Sequence, residues 1–299
     1  MTRNVQPAKD EDIFVQAADK AASAAAEAKD VAEKTRKKTW FHLLARLGYL
    51  VRGILYGLIG FMAVQLILFG RGDPAGRAGA LEVIAQQPLG EPMLIVVAVG
   101  LVGMMLWSIV RAIVDTDDLG SGLRGTVARI GKVIYGLSYG VLLIPTFNML
   151  VGIDRAGEES EQAQQAAAGV LGYSWGPWLV GAVGIVLIVI GSNIIRNGLQ
   201  SNLDERLKTY KMTREQQKWA LRSGRMGAVG HGIVMITIGV LTILAAWTLD
   251  PNKVGGMDGA LLFLATQPYG PFILGVVAAG MLAYALYSIL GAMWFRVED

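Results

Sequence analysis

Six long apolar stretches alternate with segments that are rich in charged and small polar residues. The stretches have 20 to 25 residues each and carry hardly any charge: 49–69, 93–114, 130–152, 176–195, 228–249 and 271–295. About 20 apolar residues are needed for an α-helix to cross the roughly 30 Å hydrocarbon core of a bilayer, whereas barrel strands are shorter and alternate. The pattern therefore predicts an all-α membrane protein with six transmembrane helices. Pro145 should kink the third helix, because proline lacks an N–H donor.

The composition supports this class and excludes several chemistries. Hydrophobic residues make up 53% of the 299 residues and charged residues 17%, against about 25% charged in soluble domains. The absence of cysteine excludes disulfides, thiolate catalysis and thiolate metal sites. The two histidines, His42 and His231, are far apart. We therefore expect no metal, no other cofactor and no nucleic-acid partner.

Lysine and arginine are distributed unevenly between the connections. The two termini and the second and fourth connections hold 22 of them, and the remaining loops hold 4, with Arg52 counted apart because it lies within a span. Cytoplasmic loops carry the excess of positive charge in membrane proteins. Both termini are therefore predicted to lie in the cytoplasm.

Two basic segments border the spans on the predicted cytoplasmic side. Residues 1–44 form an Ala/Lys/Glu-rich tail, predicted to be a marginal helix, that ends with a basic cluster before Trp40 and Phe41. Residues 201–223 form a basic linker with a possible capping box at Thr213. The apolar residues of this linker recur at helical spacing: Leu203, Leu207 and Tyr210. Both segments are predicted to meet anionic lipid headgroups, the alternative being that they are plain solvated connectors.

The three pairs of spans are copies of one unit. The same short sequence opens each pair: Ala45-Arg46-Leu47-Gly48, Ala128-Arg129-Ile130-Gly131 and Gly224-Arg225-Met226-Gly227. The membrane units are thus residues 45–117, 128–200 and 224–297. Each unit crosses twice, so all three enter the membrane in the same orientation, as parallel repeats. We predict that they form a pseudo-threefold bundle.

These residues also carry a resemblance to a known family. The first unit contains Arg46-Leu47-Gly48-Tyr49, Arg52-Gly53-Ile54-Leu55-Tyr56 and Gly79-Ala80-Leu81, followed by Gln87-Pro88-Leu89-Gly90. Over about residues 45–297 the chain resembles the bacterial membrane family catalogued as domain of unknown function 1206. The family pattern has an arginine where this chain has Ser108 and Ser288. The resemblance implies a bacterial plasma-membrane protein with this fold, and it implies no activity.

One strong charge, Arg52, lies inside a span. In the repeat alignment it matches Tyr135 and His231, and further along Gln65 matches Asn148. Ionisable groups within a membrane usually face the protein interior or a water-filled path. These five residues could therefore line a polar axis between the repeats, with Arg52 as an anion-attracting gate. The alternative, which we favour, is that Arg52 snorkels to the membrane surface and that Gln65 and Asn148 link helices.

A catalytic-looking motif also lies inside a span. Gly136-Leu137-Ser138-Tyr139-Gly140 matches the hydrolase pattern G-x-S-x-G, which works only on a strand-to-helix turn. The matching segment of the first unit keeps both glycines and has leucine at the serine's position, as expected for Gly-x-x-x-Gly helix packing. The predicted packing glycines are Gly53, Gly57, Gly136, Gly140 and Gly232. We therefore expect no enzyme, with a Ser138–His231 dyad as the catalytic alternative.

Two functions agree with this sequence. The first is a non-enzymatic scaffold or accessory protein that presents its surface to lipids or to another membrane protein complex. The alternative is a channel or carrier for ions or small solutes along the axis between the repeats. A conduction path needs polar lining along its length, and the middle of the spans is apolar in sequence. The scaffold is therefore the favoured hypothesis.

Overall fold

The computed structural model describes residues 39–69, 76–115, 122–153, 159–200 and 212–294, together with short helical stretches at 20, 23–24, 26–31 and 34–35. The predictions for most of the basic tail and for the apolar face of the linker, residues 201–211, lie outside the described residues.

Ten numbered helices account for most of the chain between residues 39 and 294 that the structure describes. They are α1 (Thr39–Phe69), α2 (Arg77–Ala85), α3 (Gly90–Val114), α4 (Leu123–Val141), α5 (Leu143–Leu150), α6 (Glu159–Leu171), α7 (Gly176–Gln200), α8 (Arg214–Thr248), α9 (Met257–Thr266) and α10 (Gly270–Trp294).

Six segments are long and apolar enough to cross a membrane, which confirms the predicted six spans. They are Trp40–Phe69, Gly90–Val114, Gly125–Leu150, Gly176–Gln200, Arg214–Thr248 and Gly270–Trp294. Helices α1 and α8 begin 10 and 14 residues before the predicted apolar stretches, at Thr39 and Arg214. Both helices continue into polar sequence, because an α-helix does not have to end at the edge of the hydrocarbon core.

Two local predictions are confirmed. The third span breaks at Leu142, between α4 and α5. Pro145 follows three residues later and has no N–H, so a carbonyl of the preceding turn lacks its helical partner. The start of α8 is a complete capping box, in which the N–H of Gln216 donates to Thr213 Oγ1 (3.3 Å) and the N–H of Thr213 donates to Gln216 Oε1 (2.9 Å).

Two predicted boundaries are not breaks in the structure. Helix α1 crosses the boundary between residues 44 and 45, and α8 crosses the boundary between 223 and 224.

The two aromatic residues at the start of α1 differ in burial. Phe41 is buried, and its ring centroid lies 5.8 Å from that of Trp107, whereas Trp40 is 51% exposed. Phe41 is thus a core residue, although it belongs to the segment that was predicted to meet lipid headgroups.

Each unit has the same layout of a long segment, a short helix, a tight turn and a second long helix. The turn ends at a glycine whose N–H donates to the carbonyl three residues earlier, in the pairs Gly90–Gln87, Gly176–Tyr173 and Gly270–Gln267. An added β-carbon at any of these glycines would overlap a carbonyl oxygen of the short helix. The shared turn therefore requires glycine, even in the divergent second unit. We call the end of the bundle that carries α2, α6 and α9 the short-helix end.

The spans pack on their neighbours in chain order, and the last span packs on the first. Within units, α1 packs on α3 and α8 on α10; between units, α10 packs on α1, α3 on α4, and α7 on α8. Contacts of α6 with α9 and with α2 bend this row of helices into a ring. Among the described residues, α4 and α5 lack comparable packing on α7, although they belong to the same unit. The ring is therefore open at this one place, which we call the open seam.

Candidate functional site

Arg52 lies near the middle of α1 and inside the bundle, where its side chain is 6% exposed. Its Nε donates to Ser288 Oγ on α10 (3.0 Å), and its Nη1 donates to the Tyr135 hydroxyl on α4 (3.3 Å). The guanidinium carbon is 4.6 Å from the ring centroid of Tyr49 and 5.0 Å from that of Tyr284. Three spans thus meet at this side chain, which does not reach the surface as snorkelling would require.

A network of aromatic hydroxyl groups surrounds the guanidinium. The hydroxyls of Tyr135 and Tyr139, one turn apart on α4, are 2.7 Å from each other. The Tyr284 ring meets the Tyr56 ring edge to face, with centroids 4.8 Å apart. The tyrosines around the guanidinium are thus Tyr49 and Tyr284, whose rings it lies over, Tyr135, to which it donates, and Tyr139, which is bonded to Tyr135. In the part of the chain that the structure describes, no carboxylate contacts this charge.

His231 on α8 lies beside the same network. Its ring stacks on Tyr284 at 5.5 Å and meets the edge of Tyr56 at 5.5 Å. The side chain is 8% exposed, and its Nδ1 has no hydrogen-bond partner among the described residues. Of the three positions aligned in the repeats, Arg52 and Tyr135 are in direct contact, and His231 is joined to them through Tyr284.

Gln65 and Asn148 are not part of this cluster in the described contacts. Both side chains are half-buried, and no described hydrogen bond joins either of them to the network. Gln65 is 13 residues beyond Arg52 on the same helix, a distance of about 20 Å at the rise of an α-helix.

A second polar cluster occupies the short-helix end, where the N-termini of α2, α6 and α9 meet. The Glu159 carboxylate accepts hydrogen bonds from the backbone N–H of Arg77 (2.9 Å), from Arg77 Nε (3.2 Å) and from the backbone N–H of Met257 (3.4 Å). These three residues are the first residues of their helices. One carboxylate therefore meets the partial positive charge of three helix N-termini. The short helices of all three units thus converge here, with Arg77 and Met257 at equivalent positions, 13 residues before their turn glycines, and Glu159 one helical turn further, 17 residues before Gly176.

Asp258 forms the neighbouring layer of this junction. Its Oδ2 accepts from the N–H of Ser160 (3.4 Å), and the Ser160 hydroxyl accepts from the N–H of Gly256 (2.9 Å). Asp258 is 7% exposed, and its Oδ1 has no partner among the described residues. Burial raises the pKa of Asp258, and its hydrogen bonds offset this only in part. Burial alone would lower the pKa of Arg77, but the charge and hydrogen bond of Glu159, together with Tyr56 and Tyr139, hold that pKa above its ordinary value.

Ring contacts extend the cluster around Arg52, since Tyr284 packs on both Tyr56 and His231. We call this set the polar column: Arg52, Ser288, Tyr135, Tyr139, Tyr284, His231 and Tyr56. Of these tyrosines, only Tyr135 was predicted from the sequence to lie on a polar axis, and the hydroxyl groups of Tyr56, Tyr139 and Tyr284 add to the polar interior.

Sequence reasoning missed most of the polar column. Tyr56 and Tyr139 are four residues beyond Arg52 and Tyr135, so the repeat register could have found them. Ser288 stands where the family pattern has arginine, and nothing in the sequence pairs it with a cation on another span.

The five predicted packing glycines lie at contacts between spans. Gly53 and Gly57 face α10, Gly136 and Gly140 face α3, and Gly232 faces α7. An added β-carbon would be 3.1 Å from a backbone carbonyl oxygen at Gly53 and at Gly136, and 2.8 Å from one at Gly232. It would make only an ordinary contact at Gly57, 3.6 Å from Ala285.

The serine of the hydrolase-like motif has a local partner. Ser138 Oγ donates to the Tyr135 carbonyl of its own helix (2.7 Å). No hydrogen bond between Ser138 and His231 occurs among the described residues, and the imidazole packs on tyrosine rings instead.

Two cavities lie outside the polar column around Arg52. One, of about 640 Å³, lies at the short-helix end, between α6, α8 and α9, and its lining includes Ser160, Gln164, Asn252 and Asp258. The other, of about 430 Å³, follows α7 and α8 and is lined by Ser192, Ile195, Arg196, Leu199, Gln200 and Ile236. Neither is lined by Arg52 or by the tyrosines around it.

Comparison with known proteins agrees with the repeat structure. The family model described as Domain of Unknown Function (DUF1206) matches three times, at residues 47–115, 130–200 and 226–294. A relative from Bacillus subtilis (strain 168), the uncharacterized protein YxxB, is 31% identical over 261 residues, which are 87% of this chain and 94% of the relative. No solved structure matches the chain. The chain therefore belongs to the DUF1206 family, as a membrane protein of three repeated two-span units.

Proposed function

We propose that the chain is a non-enzymatic scaffold or accessory protein of the bacterial plasma membrane. The supporting observation is that the interior around Arg52 is closed, whereas one span, α7, is largely exposed. Arg52 is 6% exposed and bound to its neighbours, whereas α7 is the least buried of the six spans. A conduit would instead be supported by a polar cavity that reaches Arg52.

The surface offered to a partner is the side of α7 that faces away from α8, next to the open seam. Large apolar side chains stand out from it: Trp178 (83% exposed), Ile185 (58%) and Val189 (52%). Helices in lipid associate through close packing, because lipid is as apolar as they are. We propose a transmembrane helix of another membrane protein as the occupant of this surface.

We propose that both termini lie in the cytoplasm. The first turns of α8 expose four basic side chains, namely Arg214, Lys218, Arg222 and Arg225. On the cytoplasmic side they would meet anionic lipid headgroups, which attract such clusters.

A photo-crosslinking residue at Ile185 tests the scaffold proposal in native membranes. We expect a product of discrete mass that mass spectrometry identifies as this chain joined to a different membrane protein. The matched control is the same crosslinker at Phe61, which is 54% exposed on α1 and should give no such product. Lipid adducts alone at Ile185, or the same products from both positions, would contradict the proposal.

A channel or carrier for ions or small solutes is the second candidate, and the polar column is what favours it. Chloride efflux from proteoliposomes tests this function. Efflux above that of protein-free vesicles that is lost in Arg52→Gln would support a conduit and contradict the scaffold as the main function.

A further inference from the structure

Arg52 carries a positive charge that the protein itself does not neutralise. A guanidinium remains protonated in proteins, and a charge buried in a membrane protein normally pairs with an opposite charge. Two other partly buried arginines follow this rule, since Arg77 pairs with Glu159 and Arg129 with Asp115. Around Arg52 the described groups are tyrosines, a serine and a histidine. The polar column therefore holds one positive charge in excess.

The groups around this charge also have donors left over. A guanidinium has five N–H donors, and the described hydrogen bonds of Arg52 use one on Nε and one on Nη1. Tyr135 accepts from Arg52, and a hydrogen bond joins its hydroxyl to that of Tyr139. Tyr135 is also hydrogen-bonded to the hydroxyl of Tyr284. These two bonds use two of the three hydroxyl protons, so one remains to donate elsewhere.

An independent observation concerns the imidazole. His231 Nδ1 is buried and unpartnered among the described residues, and a buried polar atom of this kind calls for an unseen partner. Its ring is 5.5 Å from the ring of Tyr284, over which the guanidinium lies.

We infer that the polar column binds one small monovalent anion of the halide or nitrate class against Arg52. Coordination by arginine and hydroxyl donors is the chemistry that recognises such an ion. The charge must be single, because a dianion would replace an excess positive charge with an excess negative one. The ion must be small, because Arg52 is 6% exposed. The inference holds for either function, since the anion would be a structural counter-ion in a scaffold and the cargo in a conduit.

Equilibrium binding of radiolabelled chloride to the purified full chain in neutral detergent tests the inference. We expect one saturable site per chain, from which bromide and nitrate displace the label and the bulky anion gluconate does not. The assay measures binding and not flux, so it is independent of the experiments on function. A wild-type chain without a saturable site, or with equal displacement by gluconate, would overturn the inference without any variant.

Two arginine variants locate the ion. Arg52→Gln should weaken chloride binding at least tenfold. The control is Arg111→Gln, since Arg111 also lies over an aromatic ring (Trp107, 5.9 Å) but is outside the polar column; it should bind chloride like the wild type. If Arg52→Gln does not fold, Tyr139→Phe takes its place and should weaken binding by removing one hydroxyl donor. Equal losses in the Arg52 and Arg111 variants would place the ion elsewhere.

Discussion

The hydroxyl group of Ser288 links Arg52 to the backbone of α10. It accepts from Arg52 Nε (3.0 Å) and donates to the Tyr284 carbonyl of its own helix (2.8 Å), and the residue is fully buried. Ser108 occupies the aligned position in the first unit, is 5% exposed, and has no described side-chain hydrogen bond. The two serines are therefore buried to a similar extent, but only Ser288 has a described cationic partner.

Replacing Ser288 by alanine should destabilise the protein more than the same change at Ser108. Ser288→Ala leaves the N–H of Arg52 Nε without an acceptor, which costs about 1–3 kcal/mol for a buried group. Ser108→Ala removes no described partner and should be nearly neutral. Thermal unfolding of both variants in the same detergent checks this, and equal losses would show that Ser288 does not matter as an acceptor.

Asp258→Asn should stabilise the short-helix end at neutral pH. The pKa of this carboxyl group is raised in the folded state, so the group is more protonated there than in the unfolded chain. Its contribution to the free energy of unfolding therefore falls as the pH rises from its ordinary pKa, about 3.9, through the raised value. The amide is uncharged at every pH, so the variant should be more stable than the wild type near pH 7, with the difference disappearing towards about pH 4. Unfolding measured across this range tests the trend, with exposed Glu161→Gln as control; a gain independent of pH would contradict it.

At the scale of elements, the α7–α8 contact depends on glycines that face each other. A β-carbon on Gly184 would be 2.8 Å from the Gly239 carbonyl oxygen, and one on Gly232 would be 2.8 Å from that of Gly191. Backbone on both sides cannot move aside as a flexible side chain would. This contact gives α7 its extensive packing, since it has no comparable neighbour across the open seam.

Gly232→Ala should push α7 away from α8. The free energy of unfolding should fall by about 1–3 kcal/mol, the usual range for overpacking. The control is Gly275→Ala on α10, where an added β-carbon meets nothing within 4 Å and better helix propensity should leave stability unchanged or slightly higher. Thermal unfolding compares the two variants. A Gly232 variant as stable as the Gly275 variant would mean that the close approach is unimportant.

The sequence predicted the spans and not the short helices. Uninterrupted runs of about 20 apolar residues are typical of membrane-spanning helices, so all six spans could be placed. Helices α2, α6 and α9 have 9 to 13 residues and are too short to stand out as membrane spans, although they build the junction around Glu159. Repeat alignment brought Arg52, Tyr135 and His231 together because equivalent positions have equivalent depth.

At the scale of the whole molecule, the order of the spans could not be predicted. The apolar faces of the six helices are chemically alike, so composition does not tell which pair will pack. The gathering of Tyr284 and Ser288 around Arg52 depends on that order, because α10 must lie beside α1. Depth along the membrane was therefore predictable, and neighbours around the ring were not.

The membrane orientation can be tested with single cysteines, because the chain has none of its own. Lys218→Cys at the start of α8 should react with a membrane-impermeant maleimide only after the cells are opened. Lys253→Cys, between α8 and α9, should react in intact cells. Both positions are exposed lysines, which makes them a matched pair, and the reverse pattern would invert the proposed topology.

The packing between units has a consequence for how the chain is made in the cell. The last span of the second unit finds its main neighbour, α8, only when the first span of the third unit has been synthesised, and the first span finds α10 only at the end of translation. A ribosome-bound nascent chain that stops after the second unit would thus hold an unpaired helix in the bilayer. The second unit is consequently not a folding unit of its own, and assembly of the bundle should be completed late.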